Sequence, residues 1–139
     1  MIHIIGEGGN TDRDALQVQT RERWNIPNFR KLESSTYMRA LHEENLARHP
    51  RWQLRSIASG YNCMGLAFAA RRTWIESDYF AKIVGDDGFR EVSEGKVQPG
   101  DLIAYVRQRE VLHVGVVLHT TADIARGTFD YTVLSKFGR

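Results

Sequence analysis

Two residue types in this chain carry its candidate covalent and proton-transfer chemistry, one cysteine and the histidines, and their spacing limits what that chemistry is. The single cysteine, Cys63, lies in Tyr61-Asn62-Cys63-Met64-Gly65-Leu66, where a polar turn runs into a stretch of helix formers. Asn62 is a favoured N-cap type, so the pattern predicts a helix opening at Cys63. A thiol there sits beside unsatisfied amides and the positive end of the helix dipole. Both favour the thiolate, the reactive form. The Cys63 amide could also face an oxyanion developing on a carbonyl under attack. The competing reading of a lone cysteine is a small buried hydrophobe.

A thiol nucleophile needs a base. His113 and His119 both fall in Val111-Leu112-His113-Val114-Gly115-Val116-Val117-Leu118-His119-Thr120, a β-type run. An even separation puts both on one face of a regular strand, about 20 Å apart at roughly 3.3 Å per residue. Only one can reach Cys63. We expect His113, because Gly115 would leave the same face open to a helix end or a substrate. A histidine alone in a strand is otherwise a structural residue. His3, His42 and His49 read as surface positions.

The elements that must position these groups follow from pattern. Ser34-Ser35-Thr36 caps a predicted helix that carries Tyr37, Leu41 and Leu46 and stops before Pro50. Leu66, Ala67, Ala70 and Trp74 continue at helical spacing after Cys63. A shorter helix spans Asp78 to Val84 and ends at Gly85. Met1 to Ile5 and Phe89 to Val92 are candidate short extended pieces. Pro99-Gly100-Asp101 makes a turn. Leu102 to Val106, Val111 to Thr120 and Thr128 to Leu134 are β-branched and aromatic, hence three strands, the first two joined as a hairpin. Helices followed by a meander predict an α+β fold, N-terminal helices packed on a small antiparallel sheet. Trp24, Phe29, Tyr37 and Trp52 are expected to pack the N-terminal part onto the helices.

Bulk properties exclude several classes. With 139 residues, one domain is expected over 1–139, residues 1–58 forming a helical or irregular extension on a 59–139 core. A net charge of +2 with scattered arginines does not argue for nucleic acid. One cysteine forms no internal disulfide, and no Cys/His spacing suits zinc, so no metal or cofactor is expected. Asp86-Asp87-Gly88 lacks the further ligands of a calcium loop, and Gly6-Glu7-Gly8-Gly9 lacks the ending of a phosphate loop. No apolar run is long enough for a membrane span, and the N-terminus lacks the pattern of a secretory signal. The expected location is the cytoplasm as synthesised, with export by a signal-independent route left open.

The order of the pieces carries a resemblance. Asn62-Cys63-Met64-Gly65 opens a helix, Pro99-Gly100-Asp101-Leu102-Ile103 opens a strand, and Leu112-His113-Val114-Gly115-Val116 lies on the next. The chain then runs through Val133-Leu134-Ser135-Lys136-Phe137-Gly138. Over residues 60–138 this resembles the NlpC/P60 and CHAP branches of the papain-like cysteine peptidase superfamily, in particular a bacterial subgroup ending in a Ser-Lys-aromatic-Gly element. The resemblance implies a papain-like fold with Cys63 as nucleophile and His113 as general base. Tyr61 and Asn62 would stand on the oxyanion or substrate side. The implied reaction is hydrolysis or acyl transfer at an amide of a peptide or protein, without a cofactor. The family's third residue, a polar group that orients the histidine, has Ser135 as its nearest counterpart, flanked by Lys136. Met64 replaces the family's usual small residue after the cysteine. A catalytically inactive module on the same fold, binding a peptide or protein partner, is the alternative.

Overall fold

The structure is a computed structural model that describes residues 16–31 and 33–137. The expected strand at Met1 to Ile5, His3 and the glycine-rich turn at Gly6 to Asn10 lie outside them. Within the described residues the architecture is α+β. Three helices, α1 (Ser35–Arg48), α2 (Cys63–Phe68) and α3 (Phe80–Asp86), precede three strands, β1 (Leu102–Arg107), β2 (Glu110–Asp123) and β3 (Thr128–Ser135). The strands form one antiparallel meander in the order β1-β2-β3.

Local chemistry explains the borders of α1. The Ser34 hydroxyl accepts from the Tyr37 amide at 3.1 Å, and the His49 amide closes the last turn on the Asn45 carbonyl at 2.9 Å. The helix buries Met38 and His42, one turn apart. His42 is therefore an interior residue and not the surface residue expected from the polar stretch around it. Tyr37, expected as packing, is exposed.

The helix that opens at Cys63 is shorter than its apolar spacing suggested. It stops at Phe68, and Ala70 and Arg71 take positive φ of 49° and 66°. The Gly65 carbonyl accepts from the amides of both Ala69 and Arg71, which turns the chain back along the helix it has just left. Trp74 thus leaves the helix and pairs with Phe29 in an isolated antiparallel bridge, their rings stacked at 6.3 Å. The returning Thr73 carbonyl lies directly against Gly65, where a Cβ would overlap it. Asn28 ties the N-terminal segment to the same place. Its side chain bonds the amide and carbonyl of Leu16 and the carbonyl of Ile26, and accepts from the Thr73 hydroxyl.

The core is shared by the N-terminal segment, α2 and the segment returning from it, α3 and the sheet. Val18, Ile26, Met64, Ala69, Ile75, Ile83 and Val114 form one buried cluster, with Trp24, Cys63, Phe68, Phe80 and Leu102 packed against it. Met64 is 1% exposed. Its place after the cysteine is explained by burial, since its side chain is among the largest enclosed in the protein. Asp86 and Asp87 are spoken for within the fold. Asp86 accepts from the Thr20 hydroxyl and the Lys82 ammonium, and Asp87 from the Arg21 amide. The Lys82 and Thr20 hydrogen bonds hold the Asp86 carboxyl below its usual range.

The Pro99-Gly100-Asp101 turn starts β1 as expected. Gly100 has φ 97°, its amide donates to the Val117 carbonyl, and the Asp101 carboxylate closes the turn on the Gln98 amide at 2.8 Å. The β1–β2 hairpin turns on Gln108 and Arg109, both at positive φ, the geometry that matches the twist of the flanking strands. The expected extended piece at Phe89 to Val92 has no ladder partner and is not a strand. β2 is also not regular. A bulge between Val117 and His119 breaks the alternation that would have put His113 and His119 on one face, and His119 is exposed.

Gly65→Ala should lower unfolding free energy by about 2–4 kcal/mol, because neither the helix nor the backbone at Thr73 can yield cheaply. Gly60→Ala, where a Cβ meets nothing within 4 Å, should stay within about 0.5 kcal/mol. Urea midpoints of the two variants check this. A smaller loss at Gly65 than at Gly60 would contradict the packing described.

Candidate active site

The site begins with one side chain that makes three bonds. Asn62 Oδ1 accepts from the Gly65 amide at 2.9 Å and the Ile75 amide at 3.2 Å, and Asn62 Nδ2 donates to the Ile75 carbonyl at 2.8 Å. The first bond caps α2; the other two imitate a strand pair with the returning segment. Cys63 is thereby fixed as the first residue of α2, half-buried and unoxidised. Asn62 is committed to holding this turn. Its amide is occupied on both sides, which makes it a positioning group and leaves little for a substrate.

α2 packs against β2, the strand that carries His113. His113 is half-buried between aromatic neighbours on the flanking strands. Phe137 stacks on it at 4.6 Å between ring centres with 14° between planes, and Tyr105 lies at 5.7 Å, tilted. Its Nε2 is buried and has no hydrogen-bond partner among the described residues. Burial lowers its pKa from the ordinary value of 6.5, which favours the neutral imidazole. No hydrogen bond joins Cys63 to His113 here. Helix and strand bring the two residues to neighbouring, packed elements.

Sequence reasoning placed Ser135 and Lys136 beside His113. The register is offset by two residues. Ser135 pairs with Gly115, and the antiparallel ladder carried one step further sets Phe137 against His113. Ser135 Oγ lies over Gly115, 2.8 Å from where a Cβ would stand, and a Val133 methyl is closer still. Gly115 is small because the neighbouring strand's side chains fill its space. The open face expected for a helix end or substrate is not there. No hydrogen bond links Ser135 to His113 among the described residues, and the ring against the imidazole is aromatic.

Two features were missed from sequence. The first is a column of stacked rings. His49 lies on Trp52 at 3.9 Å, Trp52 on Phe137 at 4.5 Å, and Phe137 on His113. This column runs from the end of α1 to the candidate base. Trp52 could be seen as an aromatic, but its partner at 137 lies 85 positions away. The second is the burial of Lys136, 7% exposed, with Nζ 5.5 Å from the centre of the Tyr61 ring. Tyr61 is half-buried, two residues before the thiol. Among the described residues no three His, Cys, Asp or Glu side chains converge as a metal site, and no helix is long and apolar enough to cross a membrane.

Asn62→Ala should cost about 2–4 kcal/mol, combining a lost cap with unsatisfied groups on Ile75. Asn62→Asp keeps both acceptor bonds and replaces the donation to the Ile75 carbonyl by a repulsive oxygen–oxygen contact, so its thermal midpoint should lie between those of wild type and Ala. Equal midpoints for the two variants would remove the capping role.

Protonation offers a second check. Burial lowers the pKa of both His42 and His113, and for His42 the charge on Lys136 adds to the effect. The unfolded chain therefore takes up these protons first. Stability is complete above the ordinary imidazole value of 6.5 and is lost as pH falls below it toward the lowered folded values. Thermal midpoints measured from about pH 7.5 to about pH 5 should fall toward acid. The decline should be shallower in His113→Phe, which keeps a ring in the stack and removes the titration. An unchanged slope in that variant would show that His113 does not contribute.

No family model matches the chain, and neither a curated protein nor a solved structure matches it.

Proposed function

We propose that the chain is a thiol-dependent amide hydrolase or acyl transferase on a papain-like, NlpC/P60- or CHAP-like fold, acting on a peptide or protein amide. The observation that carries this reading is the placement of Cys63. The only thiol opens a capped helix packed on the strand that bears His113, a half-buried histidine with a free ring nitrogen. In the reaction His113 accepts the thiol proton, and Cys63 Sγ attacks the carbonyl carbon. The oxyanion forms beside the Cys63 amide and the Tyr61 side. Collapse expels the amine, which takes its proton from His113, and leaves a thioester. Water, or a second amine in a transferase, then attacks the thioester with His113 as base and regenerates the thiol. Substrate binding must bring the imidazole and thiol together, a tightening common in such sites. Residues 1–58 are the extension in this reading, and its Val18 and Ile26 join the core.

A second reading is favoured by one specific feature. His113 is held by Phe137, and among the described residues its Nε2 has no hydrogen-bond partner. A site arranged in that way could bind a peptide without cutting it.

The rate of Cys63 alkylation by iodoacetamide, followed against pH, separates the two. The enzyme reading expects a rate at neutral pH at least about tenfold above that of a free cysteine peptide, lowered by His113→Ala. Cys63→Ser should cost about 10³-fold or more in amide hydrolysis. An ordinary thiol profile, indifferent to His113→Ala, would leave only the binding module.

A further inference from the structure

The sequence scatters its arginines, and the fold gathers three of them. Arg30, Arg71 and Arg72 line one cleft of about 380 Å³ together with Leu16 and Gly60. That size lies in the range of about 300–1,000 Å³ usual for small-molecule sites. Hydrogen bonds fix its walls. The Phe29–Trp74 bridge, with N···O distances of 3.1 and 2.9 Å, sets Arg30 beside the segment that carries Arg71 and Arg72. Asn28 fastens Leu16 to Thr73, and the Trp74 indole donates to the Ser59 carbonyl at 2.9 Å, which brings Gly60 in. Arg72 Nε donates to the Ala69 carbonyl at 3.2 Å, so this side chain is held by its inner nitrogen and its terminal amino groups are left over.

The charge in this cleft has no answer on its walls. No lining residue is acidic, and none of the three arginines makes an ion pair among the described residues. Three guanidiniums on one cleft raise its positive potential, in a chain whose net charge is only +2. Arg71 is also held at φ 66°, a conformation that glycine adopts more easily. A long cationic side chain kept at such a position points to a use outside the fold.

We propose that this cleft binds a phosphoryl dianion, free or as a monoester, between the guanidiniums of Arg30, Arg71 and Arg72. Guanidinium forks match phosphate oxygens in pairs. Three cations without a counter-charge favour two negative charges over the single one of a carboxylate. Leu16 gives the organic part of an ester an apolar wall, and Gly60, where a Cβ would meet nothing within 4 Å, leaves room beside it. The inference rests on neither the thiol nor His113.

Calorimetry on the full chain tests it at about pH 7.5, where a phosphate monoester is a dianion, in about 0.15 M sodium chloride, which screens charges further apart than about 8 Å. The probes are inorganic phosphate, phenyl phosphate and benzoate. Both phosphates should bind, and benzoate should bind at least about tenfold more weakly. Tighter binding of phenyl phosphate names an ester as the ligand, and equal binding names the free ion. Arg30→Gln and Arg71→Gly should each weaken phosphate binding about tenfold or more, the loss of a charge-assisted hydrogen bond. Arg71→Gly should melt no lower than wild type, since glycine suits that backbone, so its weaker binding is not a failure to fold. Cys63→Ser should bind as wild type does. Absence of phosphate binding would overturn the proposal and leave the three charges to acidic groups of the chain itself. Benzoate bound as tightly as the phosphates, or undiminished binding by Arg30→Gln and Arg71→Gly, would overturn it too.

Discussion

The side chain of Asn62 fixes the geometry on which the rest of this molecule depends. One carboxamide caps α2 and at the same time pairs with both backbone groups of Ile75. It locks the first turn of the helix to the segment that returns beside it. Without that lock a six-residue helix has little to hold it, since so short a helix is marginal by itself. The thiol position, the close approach of Thr73 to Gly65 and the exit toward Trp74 all follow from this one turn. The left-handed residues Ala70 and Arg71 complete it, at a local conformational cost that burial of Trp74 and Ile75 offsets.

The sheet imposes a second constraint. β2 is the central strand, and its two bulges decide which side chains meet. They place His113 between Tyr105 and Phe137 and release His119 to solvent. An imidazole held by aromatic faces keeps its orientation through dispersion and exclusion of water, and among the described residues its Nε2 has no partner. That environment favours the neutral ring. It also makes the position of the candidate base sensitive to Phe137 and, through it, to Trp52 and the end of α1.

The polar interior is unevenly satisfied. Around Asn28, Thr73 and Asp86 each donor has an acceptor, as expected for groups that serve the fold. Around Lys136, His42 and His113 the balance fails. Stability alone would favour apolar residues at such places. Lys136 and His113 both lie where the chain leaving β3 passes Tyr61 and β2, the same region in which the amide chemistry is proposed.

Much of this was legible in the sequence because it rests on local rules. Ser34 and Asn62 as caps, Pro99-Gly100-Asp101 as a turn, three β-branched runs and a hairpin all act over a few positions. They determine an α+β chain with a thiol at a helix start. Tertiary structure alone decided the rest. The end of α2 at Phe68 is set by a carbonyl contact with a segment that comes later. Apolar spacing through Ala70 and Trp74 could not register that contact. The burial of His42 depends on where α1 docks, and the stacking of Phe137 on His113 depends on register, which bulges shift without a signature in composition. A bulge moves the pairing by a residue and thereby changes which atoms touch. Contacts between residues far apart in the chain are set by that register and by the close packing it permits, and neither is written into any short stretch of residues.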